Sequence, residues 1–191
     1  MLQSLRPTLV VFACLSLLTG LVYPLLVTGI SQEAFHHRAE GSLIVADGKP
    51  IGSSLIGQNF TEPKYFWGRP SATGTMPYNP LASSGSNQGP LNPALIDAVK
   101  ARIEALRAAD PGNTARIPVD LVTASASGLD PHISVAAAKY QLARVAKTRG
   151  IEADRVQALV AKHTQSPWLG WFGEPRVNVL ELNLALDADR S

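Results

Sequence analysis

The sequence is poor in charge and in cysteine. Charged residues make up 17% of its 191 residues, against roughly 25% in an average soluble domain. Seventeen Lys and Arg stand against fifteen Asp and Glu, a formal net charge of +2. A chain so balanced offers no polyanion-binding surface, and no nucleic-acid partner is expected. Its one cysteine excludes an intramolecular disulfide framework and any Cys-based zinc cluster. There is also no Walker lysine loop, no Gly-x-Ser-x-Gly elbow and no His-Glu-x-x-His. No catalytic residue and no metal site are expected.

Apolar residues are plentiful instead, at 46%, too many for a disordered chain. They are unevenly placed. Thr8 to Ile30 is a run of 23 uncharged residues, 16 of them apolar. As a helix it would extend roughly 34 Å at about 1.5 Å per residue, enough to cross a hydrocarbon core of about 30 Å. A cleaved signal has a shorter apolar region of about 7–15 residues and then a small-x-small site. No Ala-x-Ala follows before Gln32, so a retained anchor is expected in residues 1–30. Arg6 and the free amine precede the run, and positive flanks stay cytoplasmic. Residues 31–191 then form one domain outside the cytoplasm, periplasmic in a Gram-negative cell. Cys14 falls within the span, which leaves that domain without a thiol. Small residues and Pro24 interrupt the span, and small residues let a second helix approach closely.

Residues 31–40 read as a continuation of the helix, stopped at Gly41. Its Glu33/His37 and His36/Glu40 pairs suit a solvated face better than a metal. Asp47-Gly48 between β-prone residues 42–45 and 51–56 signals a hairpin. Residues 57–93 are rich in Gly, Pro, Ser and Asn, yet carry Phe60, Tyr65, Phe66, Trp67 and Tyr78. A flexible linker would lack those rings, so an ordered irregular segment is expected. A helical part spans 92–164. Asn92-Pro93 opens a helix whose apolar face is Ile96, Val99, Ile103 and Leu106. Residues 118–124 read as a strand. Asp130-Pro131 reads as the cap of a second helix, ended by Gly150, and 152–163 as a third. Trp168, Trp171 and Phe172 cluster beside two glycines, as a contact or as a lid on the core. Residues 177–186 fit a strand by alternation, but also a helix capped by Asn178, and the helix is preferred. The fold class is α+β: one transmembrane helix, then a domain of about three helices and a few short strands.

A Ser/His/Asp set can be drawn from Ser125, Ser127, Asp130 and His132, but Asp130 and His132 beside each other at a helix start do not present triad geometry. Asp120 and Asp130 are either a carboxylate pair or a strand-end residue and a cap.

Blocks along the chain resemble a known family. They are Gly57-Gln58-Asn59-Phe60, Tyr65-Phe66-Trp67-Gly68-Arg69-Pro70-Ser71, Tyr78-Asn79-Pro80 and Ser84-Gly85-Ser86-Asn87. Longer ones run from Pro118 through Ser127-Gly128-Leu129-Asp130-Pro131-His132 to Gln141, and from Gly173 to Leu180. In this order the chain resembles the C subunit of the Kdp-type potassium-transporting P-type ATPase. The resemblance implies a non-enzymatic accessory subunit of an ATP-driven potassium uptake complex in the cell inner membrane. Its partners would be a potassium-selecting channel-like subunit, a P-type pump subunit, a small single-span subunit and the bilayer.

The resemblance also implies a role in assembly, and a catalytic-chaperone effect that raises the pump's affinity for ATP. No cofactor would be firmly bound. Gln141 lies in a block likened to a nucleotide-contacting signature and is the candidate nucleotide contact. Nucleotide is cytoplasmic while Gln141 should be outside, so coupling through the complex is physically easier than contact. The expected partner surface is the aromatic segment: Phe60, Tyr65, Phe66, Trp67, Arg69, Tyr78 and Asn87. The alternatives are a membrane-tethered periplasmic hydrolase and a secreted binding module released by cleavage.

Overall fold

A computed structural model describes residues 2–189. The chain divides into two compact units, one ending at Ser53 and one beginning at Ser54.

The first unit is dominated by one helical run. Helix α1 (Leu2–Leu17) passes through a π-helical turn (Leu18–Val22) into α2 (Tyr23–Ala34). The stretch Ser4–Ala34, 31 residues, is long and apolar enough to cross a membrane. Two hydroxyls inside it are satisfied locally, Thr8 on the Ser4 carbonyl and Thr19 on the Leu15 carbonyl. Pro24 lacks the N–H that would bond four residues back. The wider turn lies directly before it, where the Tyr23 N–H reaches the Leu18 carbonyl instead. Past the run the expected continuous helix breaks at Phe35 (φ −139°), and a short α3 (His36–Ala39) follows. The hairpin forms as expected, from β1 (Leu43–Ala46) and β2 (Lys49–Ser53). Asp47 (φ 51°) and Gly48 (φ 73°) take the positive φ values a tight mirror-image turn needs.

The second unit mixes helices with a three-stranded antiparallel sheet. Its helices are α4 (Pro93–Ala109), α5 (Val135–Arg149), α6 (Ala153–Lys162) and α7 (Val179–Ala188). Strands β3 (His132–Ser134), β4 (Thr164–Gln165) and β5 (Arg176–Asn178) pair in the order β3-β5-β4. Phe66, Leu106, Leu121, Ile133, Val145, Val156, Val177 and Leu182 meet in one core. Alanines 137 and 138 let neighbours approach α5 closely. Asn92 caps α4 by accepting from the Ala94 N–H, and Gly150 ends α5 in the left-handed conformation. Of the expected α4 face only Leu106 is fully buried, and Ile96 is exposed.

Three local expectations change. Residues 118–124 are not a strand: Val119–Leu121 is a 3-10 turn. Asp120 there accepts from the Ser134 N–H and hydroxyl, a tertiary tie that overrides β propensity. Asp130 does not cap α5; the cap is Ser134, which accepts from the Ala137 N–H. Asp130 instead holds the His132 N–H at the start of β3. Finally, residues 177–186 satisfy both patterns in turn. Val177 lies in β5, and Asn178 then caps α7 by accepting from the Glu181 N–H.

Candidate functional site

The blocks that carry the family resemblance meet in the second unit, and the segment from Pro63 to Tyr78 is where they join. Phe66 is fully buried, with Trp67 and Tyr78 under a tenth exposed. Irregular backbone at such depth needs partners for its N–H and C=O groups. Two side-chain amides supply them. Asn183 of α7 accepts from the Phe66 N–H at 2.9 Å and donates to the Phe66 carbonyl at 3.0 Å. Gln141 of α5 does the same for Trp67, at 2.8 and 3.1 Å. The segment is therefore held as a strand would be, between two helices.

Guanidinium groups complete the clamp. Arg144 donates to the Pro63 and Tyr65 carbonyls and to Gln141 Oε1. Burial lowers its pKa to about 10. Its charge is met by carbonyl dipoles and by the Trp67 ring, which Arg144 and Arg102 approach at 4.9 and 5.1 Å. Arg102 also donates to the Gly68 and Leu121 carbonyls. Arg149 donates to the Lys64 and Leu186 carbonyls and pairs with Asp187. Asn183, Arg102, Arg144 and Arg149 carried no sequence signal as site residues.

The second cluster centres on Tyr78. Its ring lies where a Cβ on Gly57 would sit, 2.3 Å from Tyr78 Cε1, and its hydroxyl is 2.6 Å from where one on Gly68 would. Tyr78 Oη donates to the Arg69 carbonyl at 2.6 Å, and burial raises the phenol pKa to about 12. Arg69 reaches the Ala124 carbonyl at 3.0 Å and Asp130 at 3.4 Å. Burial pushes the Asp130 carboxyl up. Bonds from the His132 ring and N–H, with the His132 and Arg69 charges, outweigh that and hold it below its ordinary value. Asp120, Asp130, His132, Glu174 and Arg176 line an open cleft of about 290 Å³ with Arg69. Asp120 and Asp130 thus share a cleft, each already bonded to its own backbone partner.

Each expected site residue has a defined place. Phe66, Trp67 and Tyr78 are inside the chain's own core, and Phe60, Tyr65 and Arg69 are half-buried. Asn87 is exposed, with positive φ (53°). Gln141 is 1% exposed. Its oxygen accepts two bonds and its nitrogen donates two, to Trp67 and Ala137. That uses its full capacity within the chain. The Ser127 hydroxyl accepts from the Leu129 N–H, while His132 Nδ1 faces Asp130. Among the described residues no cluster of three or more His, Cys, Asp or Glu could hold a metal.

Over residues 5–188 the chain matches the family described as KdpC, K+-transporting ATPase, c chain. The potassium-transporting ATPase KdpC subunit of Polaromonas naphthalenivorans (strain CJ2) is 70% identical over 188 residues, covering 98% of this chain and 96% of its own. That of Variovorax paradoxus (strain S110) is 70% identical over 184 residues, 96% and 95% of the two chains. That of Sorangium cellulosum (strain So ce56) is 60% identical over 190 residues and covers both chains completely.

Proposed function

Because the chain belongs to the KdpC family of K+-transporting ATPase c chains, we propose that it works as the non-catalytic accessory subunit of an ATP-driven potassium uptake complex. The apolar run Ser4–Ala34 anchors it in the inner membrane. Arg6 keeps the short N-terminal flank cytoplasmic and the second unit lies on the periplasmic side. There the second unit serves assembly with the potassium-selecting subunit, the P-type pump subunit and the small single-span subunit.

One observation carries this reading. The side chains of Gln141, Asn183, Arg102, Arg144 and Arg149 are spent on the unit's own backbone, while its irregular segment presents large apolar side chains outward. Leu81 is 95% exposed and Leu91 91%. The loop between them is pinned, with Ser84 N–H on the Ser127 carbonyl and Gly85 against Ala126. Rigid loops with exposed apolar side chains suit a protein interface. Asn87, Tyr65, Phe60 and Arg69 lie in the same segment and can join it. Phe66, Trp67 and Tyr78 support it from within. A rise in the pump subunit's ATP affinity then passes through the assembly, with Gln141 acting as a tie inside the subunit.

The test is affinity purification from native membranes. Wild-type chain brings down a multi-span potassium-selecting subunit and a P-type pump. Leu81→Ser with Leu91→Ser, which removes no buried group, lowers that recovery at least tenfold while the chain stays folded. Full recovery with the double variant overturns the surface; a wild-type chain that purifies alone overturns the function.

A further inference from the structure

Between β4 and β5 the chain makes a tight turn whose side chains point away from the core. Trp168 and Phe172 exchange N–H and C=O bonds at 3.0 and 2.9 Å. Leu169 (φ 53°) and Gly170 (φ 82°) make the reversal. Positive φ is uncommon and unfavourable for leucine; here it holds a leucine in the open. Trp168 is 71% exposed, Leu169 66%, Trp171 70% and Phe172 50%. The rings are set against each other, Trp171 and Phe172 with centroids 3.8 Å apart. No charged residue occurs from Thr164 to Gly173. The nearest along the chain are Lys162, Glu174 and Arg176, at the base of the turn.

A small, uncharged tip carrying two indoles fits one environment better than water or a protein groove. Indole has a large apolar face and a single N–H, and it concentrates at the boundary between acyl chains and headgroups. The tip is convex and a few residues wide, a shape that enters a fluid surface without needing a complementary pocket. A membrane is also the one partner that the chain itself brings close, because Ser54 follows Ala34 by only 20 positions, with a hairpin between them.

We propose that the Trp168–Phe172 turn inserts into the interfacial layer of the bilayer, giving the second unit a peripheral membrane contact in addition to the span. This rests on the membrane-anchor reading of Ser4–Ala34. The chain has three tryptophans, and the third, Trp67, is buried in the core, so it is an internal reference.

The experiment uses the full chain in phosphatidylcholine vesicles, unlabelled or with bromine on the acyl chains near the headgroup. Brominated lipid should remove more than half of the tryptophan emission of the wild type. In Trp168→Phe with Trp171→Phe the remaining Trp67 emission should be quenched several-fold less, at its unchanged folded wavelength. Equal fractional quenching in both proteins overturns the tip contact. Tip indoles open to aqueous iodide and insensitive to bromolipid overturn it too. Indoles shielded from both have a second copy of the chain as partner, which also overturns it. Alkaline carbonate separates the anchor from the tip. A chain extracted from vesicles overturns both readings, whereas a retained chain with no tip-dependent quenching overturns the turn alone.

Discussion

Gln141 and Trp67 are joined as neighbours in a β-ladder are, except that one partner is a side chain. The amide oxygen takes the Trp67 N–H at 2.8 Å and the amide nitrogen gives to its carbonyl at 3.1 Å. Asn183 repeats the arrangement on Phe66. Two helices thereby fix a segment that has no regular structure of its own, and the aromatic rings on it fill the core.

Replacing Gln141 by Leu leaves the Trp67 N–H and carbonyl unpaired in the core and takes an acceptor from Arg144. Each orphaned buried group costs about 1–3 kcal/mol, so a loss of about 2–6 kcal/mol is expected. Denaturant unfolding of the full chain in detergent, followed by Trp67 emission in the Trp168→Phe, Trp171→Phe background, measures it. Asn183→Leu should cost about as much, because it orphans the same two groups on Phe66. On the proposed coupling through the assembly, both variants should weaken the complex's ATP affinity alike. A direct nucleotide role for Gln141 predicts instead that its variant alone moves that affinity.

Gly57→Ala puts a methyl into the Tyr78 ring, at 2.3 Å, and close to the Asp130 carbonyl at 3.1 Å. The ring cannot retreat without breaking its hydroxyl's bond to the Arg69 carbonyl. Overpacking of this kind costs about 1–3 kcal/mol. Tyr78→Phe, which loses one hydrogen bond, should cost about 1 kcal/mol. The informative comparison is the double variant Gly57→Ala with Tyr78→Ala against each of its single variants by urea midpoint: without the ring the clash is gone, so the double variant loses less than the sum of the two.

Asp130 gives the second unit an acid sensitivity of known sign. Its carboxyl titrates lower in the folded chain than its ordinary 3.8. Between those two values the unfolded chain binds more protons, so stability rises with pH. The contribution is complete above pH 3.8 and is lost as pH falls through the folded value. Asp130→Asn should flatten the stability profile below about pH 4, by no more than about 1 kcal/mol, since the group is partly solvated. Urea midpoints of wild type and variant between pH 3 and pH 6 test this.

Features whose cause lies within a few residues were legible in the sequence. The apolar run, the Asp47-Gly48 turn, the Asn92 and Asn178 caps and the Gly150 stop each follow from local chemistry. Features whose cause lies far away were not. Val119 and Val122 look β-prone, but Asp120 is bound to Ser134, fourteen positions on. Strand β3 is three residues long, too short for alternation to register. The rings of residues 60–78 have no period that marks a core face, so their composition alone suggested an outward surface. Phe66 and Asn183, 117 positions apart, hold no trace of each other in either local sequence.

That separation also sets an order of events. A ribosome must add 74 residues after Trp67 before Gln141 exists, and 117 after Phe66 before Asn183 does. Contacts so distant in sequence are slow to form, because the loop must close before they repay it. Until α7 arrives, the aromatic segment is an exposed sticky stretch. Among the described elements, the last helix is thus the step that turns a collapsed chain into a finished subunit, and losing it should trap the second unit in an aggregation-prone intermediate.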